Sequence, residues 1–233
     1  QQVLVSRWRD DLAQDLLGHH LHLRDLDLAW NGRPETSPWR SLTLRPTPGP
    51  QWHYSARLHP ASAQFTAEGE ELHAHTEAWV AVEDDVELRR ITLRNLASRP
   101  RHLALVSSFE PVLAPAKADL AHPAFGKLFL QARWAPEQQA LPWMRLPRSP
   151  NEAALHAVHA LVGVEMDGGA RLERLRAGAD RAHWLARGGT AGQPGGVIAH
   201  AGAQALAANH VTGLHTEAGA LDTSLGYLKA LGA

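Results

Sequence analysis

The chain contains no cysteine, which excludes a disulfide framework and any zinc site built on thiolates. That fits a reducing compartment without ruling out the periplasm. An excess of either charge is missing too: 23 Lys and Arg stand against 24 Asp and Glu, for a formal net charge of -1. No basic stripe is interleaved with aromatics, so nucleic acid is not an expected partner. No apolar run approaches the roughly 20 residues of a membrane span, and the start, QQVLVSRWRDD, does not read as a signal peptide. The chain is expected to be soluble, without direct membrane insertion.

Self-contained catalytic signatures are also lacking. The glycine pairs at 168–169, 188–189 and 195–196 are not followed by the Lys-Ser or Lys-Thr of a phosphate loop. There is no G-x-S-x-G and no H-E-x-x-H, and no cofactor or metal is implied. Tyr and Phe are scarce, at 2 and 4, whereas there are 8 Trp and 15 His. Trp stacks on the apolar face of a sugar ring, but it also fills cores. Both uses stay open on composition.

At 233 residues the chain has room for one large β domain or two small ones. Its size allows burial of roughly 70–75% of the unfolded surface. Period-two alternation dominates the first two-thirds. In WHYSARL, Trp52, Tyr54, Ala56 and Leu58 share a face, and in LHAHTEAWVAV the apolar positions run from Leu72 to Val82. In HLALVSSF, Leu103, Leu105 and Phe109 oppose Ala104 and Val106. The run VELRRITLRN changes phase between Leu88 and Ile91, which calls for a bulge near Arg89–Arg90 or for a strand covered on both sides. The turn residues of NLASRP predict a hairpin of 86–94 with 102–109. Further strands are expected at 21–28, 62–68, 127–134 and 155–165. The fold class is all-β: a large antiparallel sandwich with few short helices. After about residue 186 the composition turns to Gly and Ala. Residues 1–188 are read as the sandwich domain, and 189–233 as closing strands or a linker plus a short helix bearing Leu221, Leu225 and Leu228 on one face.

Several clusters invite chemistry. Glu83, Asp84, Asp85 and Glu87 could bind a cation, or form a solvated turn entering a strand. His73 and His75 lie at i and i+2, and His19, His20 and His22 form a second group. Neither has ligands at diagnostic spacing, so both read as exposed histidines on a sheet. In SSFEPVLAPAKADLAHPAFGKLFLQARW, Glu110 follows a strand end, prolines then forbid regular pairing, and AKADLAHPAF forms a loop. The loop is either a binding element or a corner between sheets.

The segment VEDDVELRRITLRNLASRPRHLALVSSFEPVLAPAKADLAHPAFGKLFLQARW resembles the N-terminal β-sandwich of the cellobiose and chitobiose phosphorylase family, formerly glycosyltransferase family 36. It is most similar to the phosphorylase-like region of cyclic β-1,2-glucan synthases. SRWRDD with HLHLRDLDLAW upstream, and RLPRSPNE and DRAHWLARG downstream, extend the likeness over roughly residues 3–188. The resemblance implies a supersandwich of the galactose-mutarotase type, packed in this family on a helical (α/α) barrel that carries the catalytic acid. No run of amphipathic helices follows residue 188, so no catalytic residue is expected in this chain. Glu110, His122, Phe125 and Lys127 would then be carbohydrate-binding or domain-interface residues, with Arg148, Ser149, Asp180 and Arg181 in supporting places.

Three functions follow. The first is a non-catalytic carbohydrate-binding and docking module, with a β-glucan or gluco-oligosaccharide and the helical barrel as partners; the parent reaction is β-glucosyl transfer or phosphorolysis. The second is a purely structural or dimerising domain, with a homodimer as one candidate assembly. The third is an independent epimerase- or lyase-like enzyme using His73, His75 and Glu77. A groove with two or more exposed Trp favours sugar binding, and an exposed apolar patch at 111–126 favours the purely structural reading, in which the domain stabilises a barrel or a dimer. A His and a carboxylate meeting in a cleft favour the enzyme. The cytoplasm is the expected location, with attachment to the inner membrane through a larger parent protein as the alternative.

Overall fold

The computed structural model describes residues 2–3, 18–27, 37–45, 48–162, 170–187, 189–190, 194, 209–216 and 228–231. Among them the strands run β1 (Gln2–Val3), β2 (His20–Asp25), β3 (Arg40–Ser41), β4 (His53–Leu58), β5 (Ser62–Gly69), β6 (Leu72–Val80), β7 (Val86–Asn95) and β8 (Arg101–Ser108). They continue as β9 (Ala114–Pro115), β10 (Leu130–Ala132), β11 (Ala140–Arg145), β12 (Leu155–Ala160), β13 (Arg171–Gly178), β14 (Asn209–Thr216) and β15 (Leu228–Leu231). The helices are α1 (Ala116–Ala121), α2 (Pro123–Gly126) and α3 (Arg181–Leu185), with a 3-10 turn at Lys127–Phe129. One sheet has eight strands in the order β10-β11-β12-β15-β7-β6-β5-β4, a second has five, β13-β14-β8-β2-β3, and β1 pairs with β9. All these pairings are antiparallel. The molecule is the expected all-β sandwich with few short helices.

Alternation explains the larger sheet. Leu72, Ala74 and Thr76 of β6, Ala67 of β5, and Ile91 and Leu93 of β7 are buried. Apart from Thr76, they meet Leu21, Leu23, Leu103 and Leu105 of the smaller sheet in one cluster, so the main core lies between the sheets. A second cluster, Phe109, Leu113, Leu141, Trp143 and Ala157, continues it toward β11 and β12. The smaller sheet is buried on its other face as well, by Trp39 and by Trp184 of α3 against Ala104 and Val106.

That second cover corrects the reading of His22, packing on Phe109 and His159 corrects that of His19, and His20 is half-buried. His22 is 0% exposed, with its ring 6.2 Å from those of Trp39 and of Trp184. The His19 side chain is 6% exposed. Alternating polar positions are exposed only when one face of a sheet meets water, and β2 is buried at every position from Leu21 to Asp25.

The expected 86–109 hairpin does not form. β7 lies in the larger sheet beside β6 and β15, and β8 in the smaller one beside β14 and β2. The connection is an arch between sheets. Asn95 Nδ2 donates to the Arg99 carbonyl at 2.8 Å, and Ala97 N–H donates to Asn95 Oδ1 at 3.0 Å. Buried Arg101 bonds both the Asp25 carboxylate of β2 and the Glu70 carbonyl of the β5–β6 turn, fastening the two sheets where the chain crosses. Nor is there a bulge at Arg89–Arg90: β6 and β7 pair without a register shift from Leu72↔Asn95 to Val80↔Glu87. The phase changes because the inward positions of β7 carry Glu87 and Arg89 before Ile91 and Leu93.

Other segments differ locally. AKADLAHPAF is helical, with Pro123 at the first position of α2, where a missing N–H costs nothing. Of 127–134, only Leu130–Ala132 is strand. β11 and β13 fall in segments where no strand was expected. From 189–233, β14 lies between β13 and β8, and β15 between β12 and β7. Leu228, assigned by pattern to a terminal helix, is in β15; Leu221 and Leu225 lie outside the described residues.

Candidate functional site

β8 ends at Ser108, and Phe109, Val112, Leu113 and Ala114 are all buried. Leu113 adopts a left-handed backbone, φ 48°, a conformation that costs a branched residue about 1–2 kcal/mol. The strain is offset by placing its side chain, 0% exposed, in the second core cluster. Glu110 is thus held on a rigid segment while its carboxylate reaches the surface.

That carboxylate joins three elements. Lys127 Nζ, from the 3-10 turn, donates to one oxygen. Arg181 Nε, from the first residue of α3, donates to the other at 2.5 Å. Burial pushes the Glu110 carboxyl up, but the bonds from Lys127 and Arg181 and their charges more than offset it, leaving the group below its ordinary value. Asp180 precedes α3, and its carbonyl accepts the Trp184 N–H at 3.1 Å.

The same 3-10 turn supports a second group. The Phe125 and Phe129 rings meet edge to face at 5.3 Å, and the Arg148 guanidinium lies 5.7 Å from the Phe129 ring. Arg148 N–H donates to Glu152 Oε2 at 2.8 Å, while buried Arg145 donates to Glu152 Oε1 at 2.5 Å. Those two bonds hold the Glu152 carboxyl below its ordinary value. The Ser149 carbonyl accepts the Glu152 N–H at 3.1 Å, and His122 stands exposed at the α1–α2 junction.

So Glu110, Lys127 and Arg181 converge, Phe125 and Arg148 gather around Phe129, and His122, Ser149 and Asp180 lie on the flanking backbone. Arg145 and Glu152 were missed, although the i,i+4 spacing of Arg148 and Glu152 was a readable signal. On this charged scaffold sits an apolar rim: Leu120, Phe125 and Leu128 are 66%, 51% and 74% exposed. By contrast, Trp39, Trp52, Trp143 and Trp184 are buried and Trp79 and Trp134 half-buried. No groove lined by exposed Trp exists among the described residues.

His73, His75 and Glu77 occupy the outer positions of β6. His75 Nδ1 is 3.4 Å from the Thr66 hydroxyl, and Glu77 accepts from Gln64 at 3.1 Å. Glu83, Asp84 and Asp85 are exposed in the β6–β7 turn, whereas Glu87 points inward. Among the described residues no three His, Asp or Glu side chains converge as a metal cradle.

The His and carboxylate that do converge were not foreseen. His19 Nδ1 lies 3.6 Å from Glu87 Oε1, which accepts from Arg89 Nε at 2.5 Å. His19 Nε2 is 2.5 Å from Ser107 Oγ, itself 3.1 Å from His159 Nε2. Burial and the Arg89 charge push the His19 ring down to about 4 against the Glu87 bond. Burial raises Glu87, but the His19 bond and the Arg89 charge bring it to about 2. Both His19 ring nitrogens are engaged and the ring is neutral near pH 7, so this pair offers no group to move a substrate proton.

Over residues 1–221 the chain matches the family described as glycosyl hydrolase 94, supersandwich domain. The chain belongs to this family. Within it, the supersandwich chain is 30% identical over 186 residues to the cyclic beta-(1,2)-glucan synthase NdvB of Rhizobium meliloti (strain 1021). The match covers 80% of the supersandwich chain but only 6% of that protein. Among the described residues no helix is long and apolar enough to cross a membrane.

Proposed function

We propose that this chain is a non-catalytic docking module of a glucan-processing protein. It seats on a helical catalytic domain through the face formed by α1, α2 and the 3-10 turn. The observation that carries this reading is the exposed rim of Leu120, Phe125 and Leu128 on a scaffold pinned by Glu110 to Lys127 and Arg181. Apolar side chains on a rigid polar frame match the composition of a protein interface, an apolar centre with a charged rim. Burying them on a partner removes a patch that is unfavourable in water. The family match and the glucan synthase relative support a β-glucan as what the parent protein handles, with β-glucosyl transfer or phosphorolysis as its reaction.

Hydrogen–deuterium exchange on the chain alone and mixed with a family (α/α) catalytic domain tests the reading. Slowed exchange over 116–130 is expected. Protection confined to other segments, or no protection with the domains at saturating concentration, contradicts it.

A further inference from the structure

Among the described residues β4 ends the larger sheet and pairs with β5 alone. Its residues from Ser55 to Leu58 are all exposed, and Leu58, on the same face as buried Trp52, is 80% exposed. A free sheet edge is a template for another strand, and proteins blunt it with short strands, prolines or bulges. The other edges are blunted in this way: β10 has three residues and β3 two, and β13 shifts register between Leu172 and Arg174. β4 runs for six residues without a proline, in unbroken register from His53↔Glu68 to Leu58↔Ala63.

The backbone fixes which residues present that edge. At the β4–β5 turn the His59 N–H donates to the Ser62 carbonyl at 2.8 Å. Hydrogen-bonded pairs recur at every second residue of an antiparallel ladder, so Arg57, Ser55 and His53 turn their backbone groups toward β5. Tyr54, Ala56 and Leu58 turn theirs outward. We propose that a second copy of this chain occupies the edge, β4 pairing antiparallel with its own equivalent about a two-fold axis at Ala56. This is the one antiparallel register that sets Tyr54, Ala56 and Leu58 against the same three residues of the second copy, each pair exchanging both N–H···O bonds. Ala56 then meets Ala56. Tyr54 meets Leu58 on the face they share, so the exposed leucine is covered by an aromatic ring. That ring is already positioned: it stacks on Trp52 at 6.3 Å, and its hydroxyl accepts the Gly49 N–H at 2.9 Å. On the outer face Ser55 stands opposite Arg57, so the arginines do not oppose each other. The edge shares no residue with the 116–130 face.

The test is sedimentation of the full chain joined to cross-linking. A six-residue strand makes a small interface, so a dissociation constant of roughly 10–100 μM is expected. Ala56→Pro removes an N–H that turns away from β5, a change edge strands tolerate, and should weaken the dimer at least about tenfold. Leu58→Asp should do the same, and circular dichroism should show both variants folded like the parent. The chain has no cysteine, so Ala56→Cys introduces a single thiol. Paired residues at position 56 bring their Cα atoms to about 5.5 Å, within disulfide reach. Residues at position 55 are diagonal neighbours, about 7–8 Å apart. Oxidation should therefore link Ala56→Cys readily and Ser55→Cys poorly. A monomer up to about 500 μM, a dimer unaffected by both Ala56→Pro and Leu58→Asp, or linking of Ser55→Cys at least as fast as Ala56→Cys overturns the proposal.

Discussion

Glu110 and Arg181, 71 residues apart, meet at 2.5 Å and tie the end of β8 to the start of α3, with Lys127 closing the triangle from the 3-10 turn. Glu110→Ala should lower stability by about 1 kcal/mol, a modest figure because Arg181 is more than half exposed and its charge is screened. The folded carboxyl sits below its ordinary value, so its contribution is present above that value and lost as pH falls through the folded one. Urea melts at neutral and acidic pH check both points: the difference between parent and Glu110→Gln should shrink in acid. An unchanged or growing difference contradicts the ion-pair account.

Arg101 and Asp25 form a pair with side chains 1% and 3% exposed. Arg101→Met leaves the Asp25 carboxylate buried without its partner, which should cost about 3–5 kcal/mol. Arg90→Met on the outer face, where Arg90 is exposed and 3.9 Å from Glu77, should cost less than about 0.5 kcal/mol. Chemical denaturation of the two variants measures the contrast.

Stability should fall in acid from an unusually high pH. The His19 ring titrates at about 4 when folded against 6.5 ordinarily, so folding favours the neutral ring. Its contribution is present above 6.5 and lost as pH falls toward about 4, roughly 3 kcal/mol in all. Glu87 adds a second loss between 4.5 and about 2. The His19 bond, and after it the Arg89 charge, set the direction of that shift. Unfolding free energies between pH 7 and 4 should decline in the parent and much less in His19→Gln. A parent flat over this range contradicts the buried-histidine account.

Trp52 is buried between two glycines. A Cβ on Gly69 would lie 2.6 Å from its ring, and one on Gly49 at 2.3 Å, whereas Gly126 has nothing within 4 Å. Gly69→Ala should destabilise by about 1–3 kcal/mol through overpacking and shift the Trp emission. Gly126→Ala, at a helical position with φ -56°, should be neutral or stabilising by up to about 1 kcal/mol. Thermal melts of both variants decide it.

The strands of the larger sheet that face water on one side were legible, because Leu72, Ala74 and Thr76 alternate with His73, His75 and Glu77. β2 was legible as a strand, but its surroundings were not. Nothing local announces that Trp39 and Trp184 cover the far face and bury His22. NLASRP reads as a turn correctly, but a turn does not say whether the next strand stays in the sheet. Arg101, reaching Asp25 76 residues earlier, is part of what holds the crossing, and such a contact has no local pattern. The β5–β6 turn carries Glu70 and Glu71 at φ 53° and 58°, without the Asn or Gly that usually marks positive φ. α1 and α2, six and four residues long, are too short for helical periodicity to emerge. Of the candidate site, Glu110 stood out at a strand end, Lys127 and Arg181 were assigned their places by a family resemblance, and the structure joins all three. The contact of His19 with Glu87 was hidden because the two lie on strands distant in sequence, with Glu87 grouped with Glu83, Asp84 and Asp85 as a solvated turn.

The most direct test of the docking account is the affinity of the chain for a family (α/α) catalytic domain, measured by calorimetry for the parent and for Phe125→Asp, Leu128→Asp and Val162→Asp. Val162 is as exposed as Leu128, both at 74%, but lies just beyond β12, outside the proposed face. The account predicts that Phe125→Asp and Leu128→Asp each weaken binding by at least about tenfold, 1.4 kcal/mol or more, while Val162→Asp binds like the parent. Equal binding by all four proteins, or loss only in Val162→Asp, would contradict it.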